Sequence, residues 1–207
     1  MQYQSQKWLI VGLLGLCGIG GMAAAQAQTA TPPPQNAASD TQRDANQQKR
    51  IDQGLKSGQL TTKEAASLEQ REAKLDRTEQ RDMRHGPMTQ AENAQIQRMQ
   101  NRDSKAISRD VHNAATGNPD SASSRHMQAD VARNARQEQR LANGVKSGQL
   151  TNREDARMQG RQAHADHLEH LAGRDGKVGQ GEQQRIRKTD KRDSKRIYRV
   201  KHNKARR

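Results

Sequence analysis

The feature that most constrains this chain is a duplication without gaps. Residues 40–115 align with residues 130–205 at a constant offset of 90 positions, and 32 of the 76 aligned pairs are identical. The segment KSGQLT, for example, occurs at 56–61 and again at 146–151. Because similar sequences favour the same local structure, both copies are expected to form the same helices and turns. The chain is therefore expected to contain a repeated unit.

Turn and cap residues divide each copy into three predicted helices. Gly58 and Gly148 stand where a helix would end. Thr61, Thr89 and Thr151 are each followed three residues later by glutamate, which is the capping-box pattern. Apolar side chains are sparse but helically spaced, and alternating strand patterns are absent. The predicted fold class is all-α, with two tandem copies of a small three-helix (helix–turn–helix–turn–helix) unit and disordered linkers. The predicted helices span 40–57, 61–84, 89–114, 130–147, 151–174 and 179–205.

The first residues have the pattern of an export signal. An apolar run from Trp8 to Ala25 follows Lys7 and ends in Ala-Gln-Ala, the small-x-small motif of a signal-peptidase site. An uncleaved anchor is the alternative, although this glycine-rich run is shorter than the ~20 apolar residues of a membrane span. We predict a periplasmic or secreted protein. The predicted segments are a signal peptide (1–27), a Pro-rich linker (28–39), helical repeat 1 (40–115), a linker (116–129) and helical repeat 2 (130–205), with a polybasic helix or tail at 183–207.

The predicted mature chain has few side chains with which to build an apolar core. From Gln28 onward, 18 of 180 residues are leucine, isoleucine, valine or phenylalanine. That tenth is well below the roughly 20% under which charged chains tend to be disordered. The same segment has no cysteine, so a disulfide framework is excluded. The composition predicts a loose helical hairpin or three-helix unit, which self-association or a bound partner would stabilise.

Segments in both copies resemble the second half of an EF-hand calcium loop. In the motif G-x-L-T-x-x-E, at 58–64 and 148–154, glycine would be loop position 6 and the glutamate the bidentate position 12. The segment from Asp175 to Glu182 looks closest to the family pattern, and the resemblance implies divalent-metal binding by these two residues. None of these turns has an oxygen-bearing side chain at loop position 3. A capped helix–turn–helix is therefore the interpretation that the residues favour.

The L-T-x-x-E elements at 60–64 and 150–154 also resemble the L-T-x-x-Q signature of the Spy/CpxP-type periplasmic chaperones. That family is small, basic, all-helical and poor in cysteine, so the resemblance implies binding of unfolded protein clients. Glutamate replaces the family's glutamine in both copies. The resemblance covers five residues per copy.

Three histidines form a candidate site for a borderline metal. His164, His167 and His170 recur every third residue, so they spread over about 120° of a helix. An adjacent pair would suit zinc, nickel or copper. The aligned positions of the first copy hold no histidine, so such a site would belong to one copy. A solvated polar face is the alternative interpretation.

Positive charge is concentrated at the C-terminal end. Residues 183–207 contain 12 lysines or arginines and 2 aspartates, whereas the aligned residues 93–115 contain 4 and 2. Such a segment binds phosphate-rich polyanions by counterion release, so the expected partners are an anionic envelope surface, another polyanion or an unfolded client. Tyr198 is its one aromatic residue, so no specific nucleic acid is expected. A solubilising tail is the alternative. The predicted anion-binding residues are Arg185, Arg187, Lys188, Lys191, Arg192, Lys195, Arg196, Arg199, Lys201, Lys204, Arg206 and Arg207.

The sequence offers no recognisable catalytic constellation. It shows no cysteine after the signal, no Ser/His/Asp arrangement, no phosphate loop and no apparent carboxylate pair in an apolar setting. We therefore expect an exported, non-enzymatic helical repeat protein that needs no cofactor and binds anionic partners or unfolded clients. The alternative is a divalent-metal-binding envelope protein that uses the EF-hand-like turns or the histidines.

Overall fold

The computed structural model describes residues 37–203, and all regular secondary structure in that range is helical. The predicted all-α fold is therefore confirmed. The predicted signal peptide lies outside the described residues. None of the helices in the described range combines the length and apolar character needed to cross a bilayer. The helices are α1 (Ala37–Ser57), α2 (Thr62–Met83), α3 (Gln90–Val111), α4 (Ala122–Lys146), α5 (Asn152–Gly173) and α6 (Gln180–Lys201).

The largest difference from the predicted boundaries is at the start of α4, which begins at Ala122 and not at residue 130. Ser121 caps this helix by accepting a hydrogen bond from the backbone amide of Ser124, at 3.1 Å. Residues 122–129 therefore form about two helical turns, although they were expected in the linker 116–129. Helix α1 likewise begins inside the expected linker 28–39.

The predicted caps are present, and they explain why the other boundaries could be predicted. Each capping box pairs a threonine hydroxyl with the amide three residues later, while the glutamate there accepts from the threonine amide. Gly58 and Gly148 follow the preceding helices with φ of 75° and 70°, a conformation that favours glycine. The G-x-L-T-x-x-E segments thus end one helix and begin the next. The three boxes are Thr61–Glu64, Thr89–Glu92 and Thr151–Glu154.

Replacing Thr151 with alanine should lower the free energy of unfolding by about 1 kcal/mol, because the amide of Glu154 loses its acceptor. Urea denaturation followed by circular dichroism measures this change. Thr151→Ser keeps the hydroxyl and should retain most of the stability. Equal losses in the two variants would contradict the capping role.

The helices pack mainly against helices that are distant in the sequence. α1 lies along α4 and α2 lies along α5, and these are the most extensive helix–helix contacts of the described residues. α3 packs on α1 and α2, whereas α6 packs on α4 and α5. Contacts between α1 and α2 are much fewer. The buried surface of α1 and α2 is therefore covered largely by α4 and α5.

The interior combines a small apolar core with many buried carboxyl groups. Fifteen aspartate or glutamate side chains are buried among residues 37–203, whereas no lysine or arginine there is buried. Buried acids are rare unless they are paired or hydrogen-bonded. The main apolar cluster joins side chains from all six helices and their turns, among them Ile51, Leu55, Leu68, Ile107, Val131 and Ile186.

Candidate functional site

Helix α6 directs its aspartates inward and its basic residues outward. Asp190 and Asp193 are buried and form ion pairs with Arg133 of α4 and Arg161 of α5. Every lysine and arginine from residue 185 to residue 199 is exposed. Because the aspartates face the bundle, the solvent side of α6 is positive over about four turns. This basic face consists of Arg185, Arg187, Lys188, Lys191, Arg192, Lys195, Arg196 and Arg199.

A surface cavity of about 440 Å³ lies on the basic face, and all seven residues that line it are basic. Six of them belong to α6, and the seventh is Arg161 of α5. A cleft lined by charges of one sign attracts counter-ions more strongly than a flat surface does. The cavity is therefore suited to an anionic group. Its lining residues are Arg161, Lys188, Lys191, Arg192, Lys195, Arg196 and Arg199.

Eight of the twelve predicted anion-binding residues lie on this face, and a ninth, Lys201, does not. Lys201 is half-buried and donates a hydrogen bond from Nζ to the carbonyl oxygen of Arg140, at 3.2 Å. Burial lowers the pKa of Lys201. The remaining three, Lys204, Arg206 and Arg207, lie outside the described residues.

The three histidines lie along α5, where two of them contact each other. The rings of His167 and His170 stack with their centroids 6.3 Å apart, and Nδ1 of His170 lies 2.9 Å from the carbonyl oxygen of Ala66. Burial lowers the pKa of His167, and nearby Arg77 lowers it further. His164 is exposed. Among residues 37–203, no set of three candidate metal ligands with atoms within 4.8 Å of one another includes a histidine. Chelation by a histidine pair stays a prediction.

Asp175 and Glu182 both bind the backbone of the turn before α6. An Asp175 carboxylate oxygen accepts a hydrogen bond from the amide of Lys177, at 2.9 Å. Glu182 accepts one from the amide of Gly179, also at 2.9 Å. Glu182 thus caps α6 and Asp175 stabilises the turn before it, while calcium binding there stays a prediction.

A second candidate site lies in the bundle interior, where carboxyl groups gather in two clusters. In each cluster, ligand oxygens of three carboxylates lie within 4.8 Å of one another. All six side chains are at most 2% exposed. Oxygen atoms within this distance of one another are close enough to coordinate one cation together. The first cluster consists of Asp44, Asp76 and Glu79, and the second consists of Glu69, Asp166 and Glu169.

Burial raises the pKa of every carboxyl group in the two clusters, and repulsion between neighbouring acids adds to the effect. For Glu69 the pKa rises to about 8. The pKa of nearby Asp155 rises to about 7, again mainly by burial. Without another source of positive charge, part of this interior is therefore protonated at neutral pH.

The expectation that the chain lacks paired carboxylates in a buried setting is wrong. Four of the six acids of α2 fall at 69, 72, 76 and 79, a spacing of three and four residues that places them on one helix face. The motif D-x-x-E, at 76–79, recurs at 166–169. These two signals were present in the sequence. They were missed because regularly spaced acids usually indicate a solvated face.

Comparisons with protein-family models, with curated proteins and with solved structures find no match to this chain. The functional argument therefore depends on the geometry of the basic face and of the carboxylate clusters.

Proposed function

We propose that this protein is a non-enzymatic helical protein of the bacterial envelope that binds anionic surfaces through the basic face of α6. The cavity lined entirely by lysine and arginine carries the proposal. The export signal predicted at 1–27 favours the phosphate-bearing lipids of the envelope as the partner. Large hydrophobic side chains exposed on the described residues are limited to Leu171 and Tyr198. This surface supports an anionic partner better than an unfolded, apolar client.

We also infer that the bundle consists of two copies of one three-helix unit. Equivalent contacts in the two halves support this inference. The side chains of Arg71 and Asp103 are 2.8 Å apart, and those of Arg161 and Asp193, each 90 positions later, are also 2.8 Å apart. The bounds of α5 and α6 follow those of α2 and α3 at the same offset. In this arrangement the copies face each other, with α1 on α4 and α2 on α5.

The triple variant R185Q/R187Q/K191N should weaken binding to vesicles containing phosphatidylglycerol by roughly 100-fold at low salt. The estimate assumes about 1 kcal/mol for each basic residue near an anionic membrane. The new residues are those that α3 carries at the aligned positions, so the helix should tolerate them. Co-sedimentation with vesicles, repeated at increasing salt, measures the affinity and its electrostatic part.

The matched control is R98Q/R102Q/K105Q, which removes three exposed positive charges from α3. This variant has the same net charge as the first but keeps the basic face intact, so its binding should be nearly unchanged. Equal losses in the two variants would mean that net charge alone drives binding, and the assignment to α6 would fail.

A further inference from the structure

The second cluster contains a donor that the first cluster lacks. The side-chain amide of Asn134 donates hydrogen bonds to Asp166 and Glu169, at 2.8 and 2.9 Å. At the aligned position of the first copy, Asp44 stands in place of asparagine. Its carboxylate joins the D-x-x-E pair of α2. An amide that links two acids in one cluster is thus replaced by a third acid in the other.

Several oxygens of the first cluster have no hydrogen-bond donor. Gln100 donates to one oxygen of Asp44 at 2.8 Å. The other oxygen of Asp44 and both carboxylate oxygens of Glu79 receive no hydrogen bond from any other group among residues 37–203. Apart from the bond from Gln100, these two carboxyl groups hydrogen-bond only to each other, which requires that one of them holds a proton. The two side chains are 1% and 0% exposed. Leaving such groups charged and unpaired is unfavourable, so protons or a cation must be present.

Helices α4 and α5 each also bury a side chain with an unpartnered oxygen. Glu138 of α4 is 2% exposed, and its Oε1 has no hydrogen-bond partner within the described range. Burial raises the pKa of Glu138, and the nearby Asp44 carboxylate raises it further. Gln159 of α5 is fully buried with its own Oε1 unpartnered, while its Nε2 lies 3.4 Å from Glu138. Helices of both halves thus bury oxygens that have no hydrogen-bond partner within the described range.

We propose that Asp44, Asp76 and Glu79 bind one hard divalent cation in the bundle interior. A set of carboxylate oxygens without cysteine or histidine suits Mn²⁺, Ca²⁺ or Mg²⁺ better than zinc or copper. In the second cluster, Gln48 donates to Glu69 and Asn134 donates to Asp166 and Glu169, so each acid there has a donor although Glu69 Oε1 and Glu169 Oε2 have no partner within the described range. The proposal is independent of the basic face and uses the proposed duplication only to choose control variants.

Binding of this cation would join α1 and α2, whose direct contacts are few. Asp44 lies on α1, whereas Asp76 and Glu79 lie on α2. Because carboxylates must lose their protons to coordinate a metal, binding releases protons and strengthens as the pH rises. Because the site is assembled by the fold, the cation stabilises the folded state by mass action.

The test is titration of the chelator-treated full chain with Mn²⁺, followed by calorimetry and by electron paramagnetic resonance. We expect one bound ion and a higher thermal midpoint in the wild-type protein. Asp44→Asn should weaken Mn²⁺ binding about 100-fold or more, since a charged ligand is lost. Its fold should be retained, because asparagine occupies the aligned position of the second cluster. Asn134→Asp should bind a second ion.

Each outcome bears on the proposal. A wild-type protein that binds no Mn²⁺ would overturn it, since the interior would then be held by protons alone. An Asp44→Asn variant that binds Mn²⁺ as the wild type does would place the ion elsewhere and would also overturn it.

The Asn134→Asp variant tests whether the residue at positions 44 and 134 decides which cluster binds the cation. If this variant gains no ion, that explanation is refuted. Glu79→Gln provides a second loss variant, and displacement of Mn²⁺ by Ca²⁺ would show that both ions use the same ligands. Vesicle binding by Asp44→Asn should be unchanged. Failure of the cation proposal can therefore be distinguished from failure of the proposal that the basic face of α6 binds anionic surfaces.

Discussion

The metal-free protein should be more stable at about pH 5 than at about pH 8. Burial raises the pKa of Glu69 from its ordinary 4.5 to about 8. Between these two values the folded state binds a proton that the unfolded state has lost. The free energy of unfolding therefore falls as the pH rises through this window. At about 1.4 kcal/mol per pKa unit, Glu69 alone accounts for roughly 4 kcal/mol. Asp155, whose pKa is raised to about 7, acts in the same direction.

Urea denaturation of the chelator-treated protein at a series of pH values measures this decline. Glu69→Gln is the matched control, because glutamine occupies the aligned position as Gln159. This variant should lose less stability than the wild type between about pH 5 and about pH 8. Stability that rises over this range in the wild type would show that the interior acids do not hold protons.

Replacing Arg133 with glutamine should lower the free energy of unfolding by about 3–5 kcal/mol near neutral pH. Its guanidinium forms ion pairs with both Asp130 and Asp190, and neither side chain is more than 1% exposed. Without the arginine, two neighbouring carboxylates remain buried and unpaired. For a chain of this size, the thermal midpoint should fall by roughly 10 °C. The loss should shrink toward about pH 5 as the aspartates become protonated, since burial raises their pKa values to about 7 and about 6.

The corresponding residue of the first copy provides the control. Arg43 hydrogen-bonds to the exposed side chain of Asn101, and the position aligned with Asp190 is Gln100. Arg43→Gln should therefore change the free energy of unfolding by less than about 1 kcal/mol. Differential scanning calorimetry of both variants gives the comparison. Equal effects would mean that the buried aspartates do not depend on Arg133.

Helix boundaries could be predicted because their causes lie within a few residues of sequence. Thr61 and Glu64 satisfy each other's amide groups wherever the helix packs, so the capping pattern is sufficient. Ser121 is an equally good cap, but it lies in a segment whose Gly, Pro and Ser content favours a linker. Local capping chemistry therefore explains most of the helix boundaries. It also explains the largest difference from prediction, the start of α4.

The two candidate sites could be predicted only in part, because both depend on packing between distant segments. The charge of α6 is evident in the sequence, but its orientation depends on partners for Asp190 and Asp193 in α4 and α5. The carboxylate clusters are harder to foresee. Asp76 and Glu79 resemble any exposed pair on a polar helix until α5 covers α2 and removes them from water.

The packing of α1 on α4 and of α2 on α5 pairs the equivalent helices of the two proposed copies, as the subunits of a homodimer would pair them. In a true homodimer, a substitution at one position appears twice, once in each subunit. Under the proposed duplication, the fused chain is free of that constraint, so Asp44 and Asn134 can differ while they occupy equivalent places. Under that proposal, one interior contains two chemically different centres, and each can be changed by mutation without changing the other.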